Sequence, residues 1–106
     1  MSELLKGHLD LLLLALLRDA PRHGYALIEE LRGRSDGRFD LPEGTVYPAL
    51  HRLERQGLLS SDWDRSSGRR RRVYALTGEG IAALATQHSE WERFTTGVRS
   101  VLGGLA

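Results

Sequence analysis

The chain has 106 residues, a formal net charge of +1, 41% hydrophobic content and no cysteine, which suits one compact domain with a modest core. The absence of cysteine excludes disulfides and thiolate metal sites, leaving oligomerisation as the common route to added stability, so a homodimer is expected. Of the 15 basic residues only Lys6 is not arginine, and four arginines run together from Arg69 to Arg72, so the placement of charge says more than its sum.

Lys6 precedes the apolar run Leu11 to Leu17 in the order of a secretion signal. Asp10 abuts that run, no cleavage pattern follows, and the run falls far short of the roughly 20 residues that cross a bilayer. The expected location is the cytoplasm, with no membrane partner. From Leu4 to Asp19 the chain is leucine-rich and free of proline, a helix stopped by Pro21. Leu5, Leu9, Leu12, Leu13, Leu16 and Leu17 share one broad face, with Leu4, Leu11 and Leu14 on others. A helix apolar nearly all round is buried on more than one side, here in the core and against a second subunit.

A second helix starts near Gly24, with Tyr25, Leu27, Ile28 and Leu31 at helical spacing, and ends at Gly33. Ser35-Asp36-Gly37 reads as a turn. After Leu41-Pro42 a third helix sets Val46, Leu50 and Leu53 on one face, while His51, Arg52 and Arg55 point elsewhere. Two short helices joined by a turn form a helix-turn-helix candidate. Beyond Gly57 the period becomes two: Leu59, Ser61 and Trp63 alternate with polar neighbours. Arg65-Ser66-Ser67-Gly68 supplies a turn, and Arg72 to Leu76 resume a strand. Thr77 caps a last helix that has Glu79 in its first turn and carries Ile81, Leu84, His88, Trp91, Phe94, Val98, Val101, Leu102 and Leu105. Within it Leu84, Trp91, Val98 and Leu105 stand seven apart, as in a coiled-coil seam. The expected fold is mainly α with a small β-hairpin: a winged helix-turn-helix over residues 1–76, then a C-terminal dimerisation helix over 77–106.

Reading duplex DNA requires a slim polar helix for the major groove and cations for the phosphates beside it. The third helix offers Thr45, Tyr47, His51 and Arg52 as groove contacts; Tyr47 could equally pack against the hairpin. Pro48 lacks the N–H that would bond the carbonyl of Gly44, so it shapes the first turn of that helix. Arg69 and Arg70, nearest the hairpin tip, are the candidates for phosphate or minor-groove contact, since alternate residues of a strand face opposite sides. Alone, such a run would be a solvated tip; beside a helix-turn-helix it reads as a basic wing.

No enzyme is expected: the sequence has neither a cysteine nucleophile nor a Gly-x-Ser-x-Gly elbow. His8, His23, His51 and His88 lack ligand spacing, so neither a metal nor a cofactor is expected. Gly78-x-Gly80-x-x-Ala83 has the form of a dinucleotide-binding fingerprint. It lacks the second parallel strand and the acidic residue about 20 positions on, and is read as the start of a helix.

Several stretches together resemble the PadR-type regulators, in the small subclass with a single C-terminal helix. They are Leu5-Lys6-Gly7-His8-Leu9-Asp10, Pro21-Arg22-His23-Gly24-Tyr25, the segment from Glu43 to Glu54, Gly57-Leu58-Leu59 and Arg71 to Thr77. The resemblance implies a transcriptional regulator, a homodimer joined by its first and last helices, that represses from an inverted repeat in double-stranded DNA and is released by an effector. It also implies that His23 and Tyr25 touch phosphates beside the third helix. Pro42 departs from the family, which often has a polar cap there. Some relatives hold planar hydrophobic compounds between subunits, a role open to Trp91 and Phe94, which could also simply fill the dimer core. Two rival readings are a winged-helix module that binds another protein, and a dimer that sequesters a ligand.

Overall fold

The structure, a computed structural model, describes residues 1–66 and 68–105; Ser67 of the expected hairpin turn and Ala106 of the C-terminal unit lie outside the described residues. The elements in chain order are α1 (Glu3–Lys6), α2 (Leu9–Asp19), β1 (Arg22–His23), α3 (Gly24–Arg34), α4 (Glu43–Arg55), β2 (Leu59–Asp64), β3 (Arg71–Leu76) and α5 (Gly78–Leu102). The fold is the mainly helical winged helix-turn-helix expected, with three differences of detail.

The expected first helix is two helices. Ser2 caps α1 by accepting from the Leu5 N–H, and Gly7 ends it, its N–H bonded back to Glu3. Glycine disfavours continuation, and the His8 ring donates from Nδ1 to the Leu4 carbonyl at 2.6 Å, consuming an acceptor that a continuous helix would use for its own ladder. The expected hairpin is part of a three-stranded antiparallel sheet of order β1-β3-β2, in which Arg22 pairs with Tyr74 and His23 with Val73. Finally, α5 ends at Leu102 with Gly103 at φ 57°, so Leu105 of the expected seven-residue seam lies beyond the helix.

The core surrounds α2. Leu13, Leu14, Leu27, Val46, Leu50 and Leu53 are wholly enclosed, joined by Leu59 and Tyr74 from the sheet. Leu14, off the broad leucine face, is therefore buried as fully as Leu13, which is what an all-round apolar helix requires. Tyr25 does not follow its helical neighbours inward: it is 55% exposed and belongs to the surface described below.

The start of α5 is fixed by a close approach. Thr77 caps the helix, its Oγ1 accepting from the Gly80 N–H at 3.0 Å and donating to the Gly57 carbonyl at 2.6 Å. A Cβ at Gly80 would lie 2.0 Å from the Leu58 carbonyl oxygen, so the residue that mimics a nucleotide fingerprint is there to let two backbones meet. Ala83 and Leu84 pack against the core. Farther along α5, Phe94, Val98, Val101 and Leu102 are exposed in the single chain.

Candidate nucleic-acid interface

Helix α4 begins at Pro42, which has no side-chain acceptor; instead its carbonyl receives the N–H groups of both Thr45 and Val46, at 3.0 and 3.2 Å. The bond from Thr45 is the tighter i to i+3 kind, and this tight first turn precedes Pro48 within a helix that continues to Arg55. Val46, Ala49, Leu50 and Leu53 turn inward. The opposite, exposed face carries Gly44, Pro48, His51 and Arg55 at spacings of four, three and four. Arg55, which is not among the expected contacts, shares this exposed face, as its helical spacing indicates.

Between the start of α3, α4 and the hairpin lies an open cleft of about 690 Å³. It brings together six of the expected residues, His23, Tyr25, Tyr47, His51, Arg69 and Arg70, and adds Glu43, Trp63, Arg71 and Arg72. Thr45, Pro48 and Arg52 do not line it. Thr45 is half-buried and Pro48 exposed, while the Arg52 guanidinium is ion-paired with Asp10 of α2.

Tyr47 packs against the start of α3 and also lines the cleft. A Cβ at Gly24 would lie 2.5 Å from the Tyr47 ring, so glycine at the start of α3 makes room for it, and the same ring walls the cleft. Burial and the nearby Glu43 carboxylate raise its phenol above the ordinary value, which keeps the hydroxyl a donor.

His23 is held at both ring nitrogens. Nδ1 accepts the Ala26 N–H at 3.2 Å, capping α3, and Nε2 lies 3.0 Å from Nη1 of Arg71. Burial, then the Arg71 charge, pushes the imidazole below its usual pKa, so the ring is neutral near pH 7. A neutral imidazole carries one N–H. Both neighbours, the Ala26 N–H and the Arg71 guanidinium, are donors, so the neutral ring can accept from only one of them at a time. An anion that draws the Arg71 guanidinium aside would free Nε2 to donate as well.

In the hairpin, Trp63 pairs with Arg72 and Asp64 with Arg71. The guanidinium groups of Arg70 and Arg72 stack on the Trp63 ring, 4.3 and 5.0 Å from its centre. The Ser61 hydroxyl donates to Glu54 at 2.6 Å and accepts from Nε of Arg72 at 2.7 Å, which ties the hairpin to the end of α4. At the turn, Asp64 accepts the Ser66 N–H at 2.9 Å, and this bond is the main cause that holds its carboxyl below the usual range.

Trp91 and Phe94 lie apart from this cleft. Their rings are 6.2 Å apart, and Trp91 meets His8 edge-on at 4.7 Å. They line a second open cavity of about 500 Å³ with Asp10, Leu11, Gln87 and Glu90. Among the described residues there is no cluster of potential metal ligands, and no helix is long and apolar enough to cross a membrane.

Known proteins share this pattern. The family description "Transcriptional regulator PadR-like family" matches residues 13–86. Transcriptional regulator Rv3488 of Mycobacterium tuberculosis is 43% identical over 82 residues, covering 77% of this chain and 71% of that protein. A transcriptional regulator from Clostridium thermocellum has the same fold with a TM-score of 0.88 at 28% identity, over 96% of this chain and 100% of that one. A PadR family transcription regulator from Clostridium difficile R20291 matches with a TM-score of 0.83 at 35% identity, over 92% of this chain and 100% of that one. The family pattern spans the helix-turn-helix, the sheet and the start of α5, and the chain belongs to the PadR-like family of transcriptional regulators.

Proposed function

We propose that the protein is a homodimeric repressor that binds an inverted-repeat operator and is released by an effector. The observation that carries this reading is the convergence on one cleft of Tyr47 and His51 of α4, the His23 and Arg71 pair and the arginine-rich wing. Two copies of α4 enter successive major grooves about 34 Å apart. Thr45, Pro48 and His51 approach base edges there, and Arg52 contributes the donors that its pairing with Asp10 leaves unused. Tyr47, His23 and Tyr25 meet the adjoining backbone, His23 through Nε2–H once Arg71 has turned to the phosphate. Arg69 and Arg70 reach the flanking backbone or minor groove.

The second subunit covers the exposed apolar stripe of α5, with α1 contributing Leu4. A stripe of this kind, left open on a single chain, is the surface a second copy would bury. In the assembled dimer Trp91 and Phe94 take a planar hydrophobic effector by stacking, and the protein acts in the cytoplasm, where its DNA is.

The double variant Arg69→Ala/Arg70→Ala tests the reading. Each phosphate contact contributes about 0.9 to the slope of log affinity against log salt, so losing two arginines from each of two wings lowers the slope by about 3 to 4. Light scattering should show an intact dimer. Unchanged affinity and slope would contradict the proposed wing.

A further inference from the structure

We propose that Trp63 is a positioning residue for DNA binding: it does not itself contact the nucleic acid but holds Arg70 in the orientation in which the wing meets it. Trp63 is 48% exposed at the lip of the cationic cleft, past the last enclosed residue of its strand face. Leu59 is buried on that face, Ser61 is half-buried, and Trp63 has left the core, so its indole is not explained by core packing.

Its contacts explain it. Arg72, directly opposite in register, is fixed at Nε by Ser61, which is fixed in turn by Glu54 of α4. Arg72 therefore lies against the ring from an anchored position. Arg70, two residues before Arg72 and just outside β3, stacks on the same ring, and among the described residues its side chain makes no ion pair or hydrogen bond. The chain of contacts Glu54, Ser61, Arg72, Trp63, Arg70 runs from the recognition helix to the wing tip. Stacking engages the face of the guanidinium and leaves its in-plane N–H groups open to an anion. An arginine already held this way has less rotamer freedom to lose on binding than a free one.

The inference rests on the wing being a DNA contact, and a double-mutant cycle separates the two. Gel-shift affinities for a fragment of the protein's own promoter are measured for Trp63→Leu, Arg70→Ala and the double variant, with Trp63→Phe as the conservative control. Leucine keeps apolar bulk in the strand without a π face, and thermal unfolding verifies that each variant is folded. Trp63→Leu is expected to weaken binding about threefold to tenfold for each wing engaged, Trp63→Phe to retain most of the affinity, and Trp63→Leu to add nothing once Arg70 is alanine. If Trp63→Leu weakens binding equally in both backgrounds, or leaves it unchanged while Arg70→Ala weakens it, the positioning role is overturned and the DNA-binding wing stands. If neither Arg70→Ala nor Arg69→Ala/Arg70→Ala alters binding, the wing reading fails and the role of Trp63 falls with it.

Discussion

Gly80→Ala is expected to destabilise the fold by about 3 kcal/mol, at the upper end of what overpacking causes, and to lower Tm by about 10–20 °C. The new Cβ would stand 2.0 Å from the Leu58 oxygen and 3.0 Å from a Leu76 methyl group. Neither backbone is free to recoil. Leu58 donates its N–H to Leu53 and accepts from Thr77, while the Thr77 hydroxyl bridges Gly57 and Gly80. Relieving the clash therefore means losing the α5 cap or the turn after α4. The corresponding collision at Gly24 is with the ring of Tyr47, a side chain, and should be milder. Gly33, with open space around it, is the control, since alanine there improves helix propensity by up to about 1 kcal/mol. Thermal and urea unfolding of the three variants would check the order; a Gly80→Ala protein that melts with the parent would contradict the close approach.

Phe94→Glu/Val101→Glu is expected to convert the dimer to a folded monomer and to abolish stable retention of an operator. Both side chains are exposed in the single chain, so the carboxylates leave the fold of the subunit intact. In the proposed dimer they would enter an apolar seam without partners, where burying a charge is strongly unfavourable. Each loss of about 1.4 kcal/mol raises the dissociation constant tenfold, and without the second subunit the two half-sites no longer act as one linked binding event. Sedimentation as a function of concentration, alongside thermal unfolding, gives the result. A variant that remains dimeric would place the interface elsewhere.

Much of the fold is legible in the chain because its signals are local. Pro21 and Gly33 mark helix ends to within a residue or two, Pro42 and Thr77 mark starts, and the change of period after Gly57 announces the wing. The signals that fail are short or distant. Two residues of β1 cannot display an alternation, and the interruption at Gly7 is one glycine within a strongly apolar run. The site is harder still to read, because its partners are far apart in sequence: Arg52 meets Asp10 across 42 residues, and Arg71 meets His23 across 48. Alternation places Trp63 on the face of Leu59 but gives no sign that the core stops short of it. The purposes of Gly24 and Gly80 likewise become visible only when Tyr47 and Leu58 are folded against them.

The central claim, sequence-specific and strongly electrostatic DNA binding, is tested most directly by a mobility-shift titration on the protein's own upstream promoter fragment at two salt concentrations, with unrelated DNA as competitor. Neutralising roughly six to ten phosphates per dimer predicts specific retention that falls with salt at a slope of about −5 to −9. Equal, weak binding to both DNAs, or a complex indifferent to salt, would contradict it.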